Sequence, residues 1–373
     1  MSKKKVRETQ VKNIGMALSG GGIRAMLFHL GLFEWMAENG LFEQVKKVST
    51  VSGASLCVGM IYSHNNLNWP TSNDFLSKTL PSIKQALKAD LQTSAICRLI
   101  TSPCYWNKKV NIIARTLEHT WGIYGEMAQL SGDAIWYINC TSFETGKRFR
   151  FSRENMGDYI IGYVENPKFS IAEAMAASAG FPMFIGPYVI NTRKFTWTPS
   201  RHVDKRYSHH IYKTLHLWDG GIYDNLGLES VYKPDNGGEL GDGLEFLIVS
   251  NASAPIGIQA RTKWLFHRNI KRVLDISLEQ VAAVRTRGVM EFIKTTGQGM
   301  YLKIGNSAAM ITEKSSYPDE LRPRLTDCCL SEEQTNYIMK YPTTLKKPND
   351  SDFQMLLRHG YEVANCTFSC YQK

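Results

Sequence analysis

Apolar runs and helical patterns alternate at the start of this chain. Ile14–Leu18 is an apolar run typical of a buried strand, and from Arg24 to Asn39 the apolar residues recur at helical spacing until Gly40 ends the pattern. Val48–Val51 predicts a second strand, and Leu56–Tyr62 predicts the apolar start of a second helix. This order of strand, helix, strand and helix predicts a parallel sheet with helices on its faces.

The remaining sequence predicts further strands after a polar segment. Residues 64 to 127 contain several prolines and two helical patterns, near Asn73–Lys88 and Lys109–Thr120, and we interpret this segment as an insertion that covers the sheet as a lid. A long helix is predicted at Ser277–Thr296. Five more strands are predicted at Ala134–Cys140, Arg148–Ser152, Leu215–Trp218, Glu245–Ser250 and Met300–Ile304. Residues beyond Asn306 are rich in loops and end in a predicted helix near Asp352–Ala364.

No segment has the composition of a linker between domains. Apolar residues make up 43% of the 373 positions and charged residues 21%, which supplies a large core and excludes a disordered chain. We therefore predict one α/β domain over residues 1–373. It has a mostly parallel central sheet with helices on both faces, a helical insertion at about 64–130 and a loop-rich C-terminal extension at about 306–373.

The charge balance narrows the possible partners. The chain has 44 Lys and Arg against 34 Asp and Glu, a net charge of +10, which favours anionic partners such as phospholipid surfaces or nucleic acid. No apolar segment approaches the roughly 20 residues of a membrane-spanning helix. The basic N-terminus is not followed by the apolar core of a signal peptide. We expect a cytoplasmic protein that associates with membranes peripherally when active.

A glycine-rich turn joins the first predicted strand to the first predicted helix. Its residues are Ser19, Gly20, Gly21, Gly22, Ile23 and Arg24. Glycine allows backbone conformations that are closed to other residues, and N–H groups beside the positive end of a helix can bind an anion. That anion could be a phosphate or the oxyanion of acyl transfer, and a purely structural turn is the alternative. The turn is not a P-loop, because no Gly-Lys-Ser/Thr follows.

A serine occupies the second turn from strand to helix. Ser52 lies within Thr50-Val51-Ser52-Gly53-Ala54, a degraded form of the Gly-x-Ser-x-Gly nucleophile elbow. Such a turn lifts the serine out of the sheet, and the following helix stabilises negative charge. Ser52 is therefore the candidate nucleophile, with a helix cap as the alternative role. We assign Ser49 and Ser55 to caps or turns.

An aspartate ends a later predicted strand. Asp219 is followed by Gly220 and Gly221, so its carboxylate is expected at the edge of the sheet. Partial desolvation raises the pKa of a carboxyl group and makes its carboxylate a better base near neutral pH. The alternative is an Asp-Gly turn in which the carboxylate bonds to its own backbone, the structural role we assign to Asp224 and Asn225.

These three blocks, in this order, resemble the patatin-like phospholipase family, which is related to cytosolic phospholipase A enzymes. The segment Gly20–Arg24 resembles the family's oxyanion loop, Val51–Gly53 its nucleophile elbow and Asp219–Gly221 the block that holds its catalytic base. Ala176–Pro182 and Arg358–Tyr361 also resemble segments of that family. The resemblance implies a three-layer patatin-like fold around a mostly parallel sheet.

The chain departs from the family pattern at three positions. Ala25 stands where the family usually continues with glycine, and Thr50 and Ala54 replace the outer glycines of the elbow. Both elbow replacements are small, as a crowded turn requires, and the resulting segment resembles variants found in relatives. We therefore expect the elbow to be functional.

The resemblance implies a lipid acyl hydrolase of the phospholipase A type, which cleaves fatty-acyl esters of membrane phospholipids. By this resemblance Ser52 and Asp219 form a catalytic dyad: Asp219 takes the Ser52 proton, and an acyl-enzyme forms and is hydrolysed. The N–H groups and supports of the oxyanion hole are assigned to Gly20, Gly21, Gly22 and Arg24. This scheme requires no metal and no cofactor.

Other functions remain open at this point. Ser52, Asp219 and His359 have the chain order of an α/β-hydrolase triad, although His359 lies in a predicted helix and Ser52 follows only the second strand. The chain could also be a catalytically silent lipid-binding protein on the same fold, or an enzyme switched on by an unidentified activator.

Two basic stretches bear on the partner. Residues 260 to 273 interleave cations with aromatic and apolar residues, and residues 201 to 213 add cations and histidines before the strand that ends at Asp219. Such mixtures suit an anionic bilayer surface, and a solvated helix face and a polar loop are the structural alternative. No nucleic-acid recognition motif accompanies them, so no nucleic-acid partner is expected.

Overall fold

The structure is a computed structural model that describes residues 11–101, 109–180, 186–199, 212–233, 238–241, 243–258 and 266–372. The strands are β1 (Ile14–Leu18), β2 (Val45–Val51), β3 (Ile135–Ser142), β4 (Arg148–Phe151), β5 (Asn155–Asp158), β6 (Gly162–Glu165), β7 (Tyr188–Asn191), β8 (Thr214–Asp219), β9 (Tyr232–Lys233), β10 (Glu239–Leu240), β11 (Phe246–Asn251) and β12 (Gly299–Lys303). The helices are α1 (Gly22–Glu38), α2 (Gly53–Ser63), α3 (Ser72–Asp74), α4 (Leu80–Ala86), α5 (Leu91–Thr101), α6 (Lys109–Trp121), α7 (Ile171–Ser178), α8 (Gly221–Asp224), α9 (Phe266–Thr296), α10 (Ala308–Glu313), α11 (Arg322–Thr326), α12 (Glu332–Met339) and α13 (Asp350–Tyr371).

A mixed sheet organises the fold. Its central strands run in the order β12-β11-β1-β2-β3 and all pair in parallel, as the strand-helix alternation predicts. Antiparallel strands β4, β5 and β6 extend this order, while β8 pairs with β3 and β7 pairs with β8. The predicted α/β fold with a mostly parallel central sheet is confirmed.

Both faces of the central strands are buried. In β1 the side chains of Ile14, Met16 and Leu18 join the larger core cluster, which includes α1, α2 and α13, whereas Ala17 joins a smaller cluster. That smaller cluster contains Val289 of α9. Because alternate residues of a strand point to opposite faces, this pattern places helices on each face of the sheet and explains why β1 reads as an apolar run.

The first and last helices cross at two glycines. A Cβ atom at Gly31 would lie 1.8 Å from the carbonyl oxygen of Leu357, and one at Gly360 would lie 1.8 Å from that of Phe28. The backbones of α1 and α13 are therefore in direct contact. The C-terminal extension does contain long loops, but it also contains α10, α11 and α12, and its last helix belongs to the main core.

Some elements differ from the sequence predictions. The sequence patterns do not predict helix α5, whose residues are largely polar or β-branched. They also do not predict the four-residue strands β5, β6 and β7, although β4 of equal length is predicted. Helix α9 begins at Phe266 and not at Ser277. In the described ranges no helix combines the length and the apolar character needed to cross a membrane.

Candidate active site

The register of the sheet brings Ser52 next to Asp219. Strand β2 pairs with β3 as far as Val51 opposite Asn139, and β8 pairs with β3 from Leu217 to Asp219, with Asp219 opposite Cys140. Since β4 occupies the other edge of β3 at Cys140, β2 and β8 must share one edge. The two strands therefore meet end to end, and the residue that follows Val51 is Ser52.

Ser52 sits in a backbone conformation that few residues other than glycine adopt. Its φ is 52° and its ψ is −117°, and although it occupies the N-cap position of α2, its side chain caps no helix N–H group. Gly53 touches the glycine loop, since a Cβ there would lie 2.1 Å from the carbonyl oxygen of Gly22. The sharp turn thus leaves the Ser52 hydroxyl free of a capping role, as a nucleophile elbow requires.

Buried hydroxyl groups support this turn from behind. The N–H group of Ser52 donates to Ser178 Oγ at 3.0 Å, and Ser178 Oγ donates to the carbonyl oxygen of Asn139 at 2.8 Å. Thr50 stands at the position of the first elbow glycine, and its Oγ1 accepts a hydrogen bond from Trp136 Nε1 at 2.8 Å. Ser178 lies in the Ala176–Pro182 block, but no sequence motif indicates this role.

Asp219 is almost completely buried beside the serine. Its Oδ1 accepts the N–H group of Gly221 at 2.7 Å, and the Ser52 side chain is close enough to lower the pKa of this carboxylate. Burial is the larger effect and raises the pKa of Asp219 to about 6, against the lowering effects of Gly221 and Ser52. The Asp-Gly turn and the contact with Ser52 therefore coexist. A carboxylate of this kind can accept a proton near neutral pH.

Asp224 and Asn225 have the structural roles assigned to them. The Asp224 carboxylate accepts the N–H groups of Leu226 and Leu228 at 3.1 and 2.7 Å. The carbonyl oxygen of Asn225 accepts the N–H group of Gly20 at 3.2 Å, which joins the aspartate block to the glycine loop.

The glycine loop lies against Ser52. A Cβ at Gly20 would lie 3.0 Å from the Cβ of Ser52, and φ is 146° at Gly21 and 63° at Gly22, values that favour glycine. Among the hydrogen bonds of the described residues, the Gly20 N–H is used by Asn225, whereas the N–H groups of Gly21 and Gly22 have no acceptor. These two donors are available to an anion next to the Ser52 hydroxyl.

Arg24 supports the loop, and among the described residues its guanidinium bonds to backbone carbonyl oxygens and to no acidic side chain. Its guanidinium donates through Nε to the carbonyl oxygen of Ala252 at 3.0 Å and through Nη1 to that of Tyr341, and burial lowers its pKa to about 10. Across α1, the buried ring of His29 contacts Ser250 Oγ and the carbonyl oxygen of Ser19. Both side chains therefore tie the loop to β11 and its extension.

Comparisons with known proteins decide the family. The sequence pattern described as patatin-like phospholipase matches residues 16–232, which include the glycine loop, Ser52 and Asp219. The chain belongs to the patatin-like phospholipase family. No curated protein has significant sequence similarity to it.

Solved structures share the fold of this patatin-like chain. Human GIVD cytosolic phospholipase A2 superposes with a TM-score of 0.55 at 13% sequence identity, covering 100% of this chain and 61% of that one. The same human enzyme in complex with methyl gamma-linolenyl fluorophosphonate and terbium chloride gives a TM-score of 0.50 at 14% identity, covering 100% and 60%. The patatin-like chain thus spans about three fifths of the length of these structures.

The structure does not bring His359 to Ser52 and Asp219. His359 is buried in α13, where its Nε2 accepts the N–H group of Gly305 at 2.9 Å and its ring packs against Phe28. Burial lowers its pKa to about 3, so the ring is neutral. It acts as a satisfied core histidine, and the contacts of Asp219 come from Ser52 and Gly221.

A cavity of about 1300 Å³ opens above the pair in this patatin-like structure. Ser52, Asp219 and the glycine loop line it together with residues of α5, α6, α9 and β12 and of the segments 253–258 and 343–345. Within the described ranges no three His, Cys, Asp or Glu side chains converge as metal ligands would. Positions 201–211 and 260–265 of the basic stretches, together with Phe181 and Pro182, lie outside the described residues.

Proposed function

We propose that this protein is a serine-dependent lipid acyl hydrolase of the phospholipase A type, with Ser52 as nucleophile and Asp219 as base. The observation that carries the proposal is the position of Ser52, which stands in a strained turn at the end of β2 beside the buried carboxylate of Asp219, whose pKa is raised to about 6. Membership of the patatin-like phospholipase family supports a lipid substrate.

The proposed reaction begins with attack of Ser52 Oγ on the ester carbonyl carbon while Asp219 accepts the hydroxyl proton. The developing oxyanion accepts hydrogen bonds from the N–H groups of Gly21 and Gly22, which have no other acceptor within the described part of the chain. One such donor typically contributes about 10²–10³-fold in kcat. The tetrahedral intermediate then expels the lyso-lipid alcohol, which takes the proton from Asp219, and leaves an acyl-enzyme.

Hydrolysis repeats the same steps with water. Asp219 takes a proton from the attacking water, the carbon–oxygen bond to Ser52 breaks, and the Ser52 oxygen recovers the proton as the fatty acid leaves. Arg24 and the buried serines behind the elbow hold the loop and the nucleophile in place without taking part in proton transfer.

We further propose that the enzyme acts while bound peripherally to an anionic membrane surface. Exposed isoleucines stand on α5 at Ile96 and Ile100 and on the loop after β11 at Ile258. Lys271 and Arg272 line the same cavity. Apolar and cationic side chains in combination favour the interface of an anionic bilayer, where each cation contributes roughly 1 kcal/mol.

The test is release of fatty acids from vesicles of phosphatidylcholine and phosphatidylglycerol. We expect release by the wild type and loss of at least about 10³-fold in Ser52→Ala and Asp219→Asn, because each removes a group that acts in every step. Ser63→Ala on α2 is the matched control, since its buried hydroxyl has no hydrogen-bond partner within the described part of the chain.

The outcomes separate the alternatives. Full activity in Ser52→Ala would exclude this nucleophile. A wild type that binds the vesicles but releases no fatty acid would indicate a lipid-binding protein, and release that appears only with a cell extract would indicate an activator.

A further inference from the structure

Two thiol groups outside the cavity lining lie next to each other beside α13. Cys329 follows α11, Cys366 lies in the C-terminal half of α13, and both are free cysteines. Cys329 Sγ donates to the carbonyl oxygen of Leu325 at 3.2 Å, and Cys366 Sγ approaches the same oxygen at 4.0 Å. This shared acceptor brings together two thiols from distant parts of the sequence.

The two cysteines differ in their access to solvent. Cys329 is half-buried, whereas Cys366 is completely buried in the main core cluster. A small oxidant in solution can therefore reach Cys329, while Cys366 can react only with a group that the protein itself brings to it. An accessible thiol beside a second thiol is the arrangement in which an oxidised cysteine is converted to a disulfide.

The proximity of the two thiols also changes their acidity. Cys366 is the largest influence on Cys329 and lowers the pKa of its thiol, against the opposing effect of burial. Arg358 adds to this lowering, whereas Glu362 opposes it. The pKa of the Cys366 thiol is raised, mainly by Cys329 and then by burial. Because the thiolate is the form that reacts with peroxides, the accessible thiol is also the more reactive of the two.

Backbone hydrogen bonds hold Cys329 against α13. The N–H group of the next residue, Leu330, donates to Glu362 Oε2 of α13 at 2.9 Å, and the N–H group of Cys329 donates to the carbonyl oxygen of Thr326 at 2.9 Å. Leu330 is itself buried in the main core cluster. The two sulfur atoms therefore stay together as long as this segment remains folded on α13.

We propose that Cys329 and Cys366 form a peroxide-reactive pair that closes to a disulfide. The Cys329 thiolate attacks one oxygen of a hydroperoxide, and the oxygen–oxygen bond breaks. A sulfenic acid forms on Cys329, and the other oxygen leaves as water or an alcohol with the proton that the thiol released. The Cys366 thiol then attacks the Cys329 sulfur, the sulfur–oxygen bond breaks, and the hydroxyl group leaves as water with the Cys366 proton. The two thiols lose two electrons in total, and the peroxide gains them.

This modification site goes beyond the proposed hydrolase and is independent of it, because neither cysteine lines the cavity. Peptide mapping of the full chain after treatment with hydrogen peroxide tests the proposal. Trypsin releases Cys329 within residues 325–340 and Cys366 within residues 359–373. We expect these two peptides to be joined in the folded wild type and to separate on reduction. Oxidation in urea should abolish this preference, because the unfolded chain no longer brings the two thiols together.

Substitutions identify the bond, because each of these peptides contains a second cysteine. Cys329→Ser and Cys366→Ala should each lower the yield of the joined peptides at least about tenfold. The matched controls, Cys328→Ser at an exposed position and Cys370→Ala one helical turn from Cys366, should leave the yield unchanged. In Cys366→Ala the sulfenic acid on Cys329 should persist and react with dimedone, a signal that a merely structural role of Cys366 does not produce.

Each result decides the inference. Absence of the joined peptides in the oxidised wild type, their persistence in Cys329→Ser, or their loss in either control would overturn it. Circular dichroism of each variant checks that it folds, and Cys329→Ser at its half-buried position carries the test if Cys366→Ala does not fold. No lipid enters these measurements, so failure of the proposed hydrolase would leave their outcome unchanged.

Discussion

Burial of Asp219 raises the pKa of this carboxyl group, as its proposed role as a base requires, and also lowers the stability of the fold at neutral pH. Its folded-state pKa of about 6 lies above the ordinary value of 3.8, because burial disfavours the charged form. The folded protein therefore binds this proton more tightly than the unfolded chain does. The stability that this proton gives is fully present below about pH 4 and is lost as the pH rises through 6, a difference of about 3 kcal/mol.

Replacement of this carboxylate should stabilise the protein while it abolishes activity. Asp219→Asn keeps an oxygen that can accept the Gly221 N–H group, but it removes the buried charge. We expect urea denaturation at pH 8 to give a free energy of unfolding up to about 3 kcal/mol above that of the wild type, and the gain to vanish near pH 4. A variant less stable than the wild type at pH 8 would show that the carboxylate is favourable in the fold.

Helix α5 is connected to the glycine loop through Thr344. The side chain of Thr344 donates to Gln92 Oε1 of α5 at 2.6 Å, while its carbonyl oxygen accepts the N–H group of Ile23 at 2.8 Å. A Cβ at Gly22 would lie 2.5 Å from the same carbonyl oxygen. Thr344 therefore connects α5, which lines the cavity, to the donors proposed for the oxyanion.

Loss of this connection should lower kcat more than it changes KM. We expect Thr344→Val and Gln92→Leu each to reduce kcat by about three- to tenfold, because the loop loses one support but keeps its N–H groups. The double variant should be no slower than Thr344→Val, since both changes remove the bond between these two side chains and Thr344→Val also removes the acceptor of the Lys346 N–H group. Thr295→Val, at an exposed threonine outside the cavity lining, is the control. Additive losses in the double variant, measured on a phospholipid substrate, would contradict this coupling.

The elements that the sequence predicts are those with local patterns. β1, α1, β2 and α2 follow from apolar runs and turn residues, and the turn chemistry of the same segment indicates the glycine loop and Ser52. The pairing of Cys140 with Asp219 is a contact between distant segments, so no local pattern reveals it. Ser178 and Thr344 belong to no motif that indicates their roles, because each acts through tertiary hydrogen bonds.

The free energy of unfolding of the whole molecule depends on the close crossing of α1 and α13 at Gly31 and Gly360. A methyl group at Gly360 would overlap the Phe28 carbonyl oxygen, so the two helices would have to separate. We expect Gly360→Ala to lower the free energy of unfolding by at least about 3 kcal/mol. Gly288→Ala on α9, where a Cβ would have no neighbour within 4 Å, should raise it by about 0.4–1 kcal/mol. If chemical denaturation gave the same change in the free energy of unfolding for Gly360→Ala and Gly288→Ala, the close crossing of the two helices would be contradicted.

This crossing also supports the prediction that the chain is one domain. Helix α13 packs in the same core cluster as β1, α1 and α2, so the C-terminal extension contributes to the interior. We propose that residues 306–372 fold together with the rest of the chain and not as a separate appendage.

The same crossing has a consequence for synthesis on the ribosome. Gly31 meets its partner helix only after roughly 330 more residues have been translated, which takes roughly 15 to 65 s at the usual rate. During that interval the apolar surface of α1 that α13 later covers is open to chaperones or to other nascent chains. The turns that follow β1 and β2 are made early, but the helix that packs against α1 is translated much later.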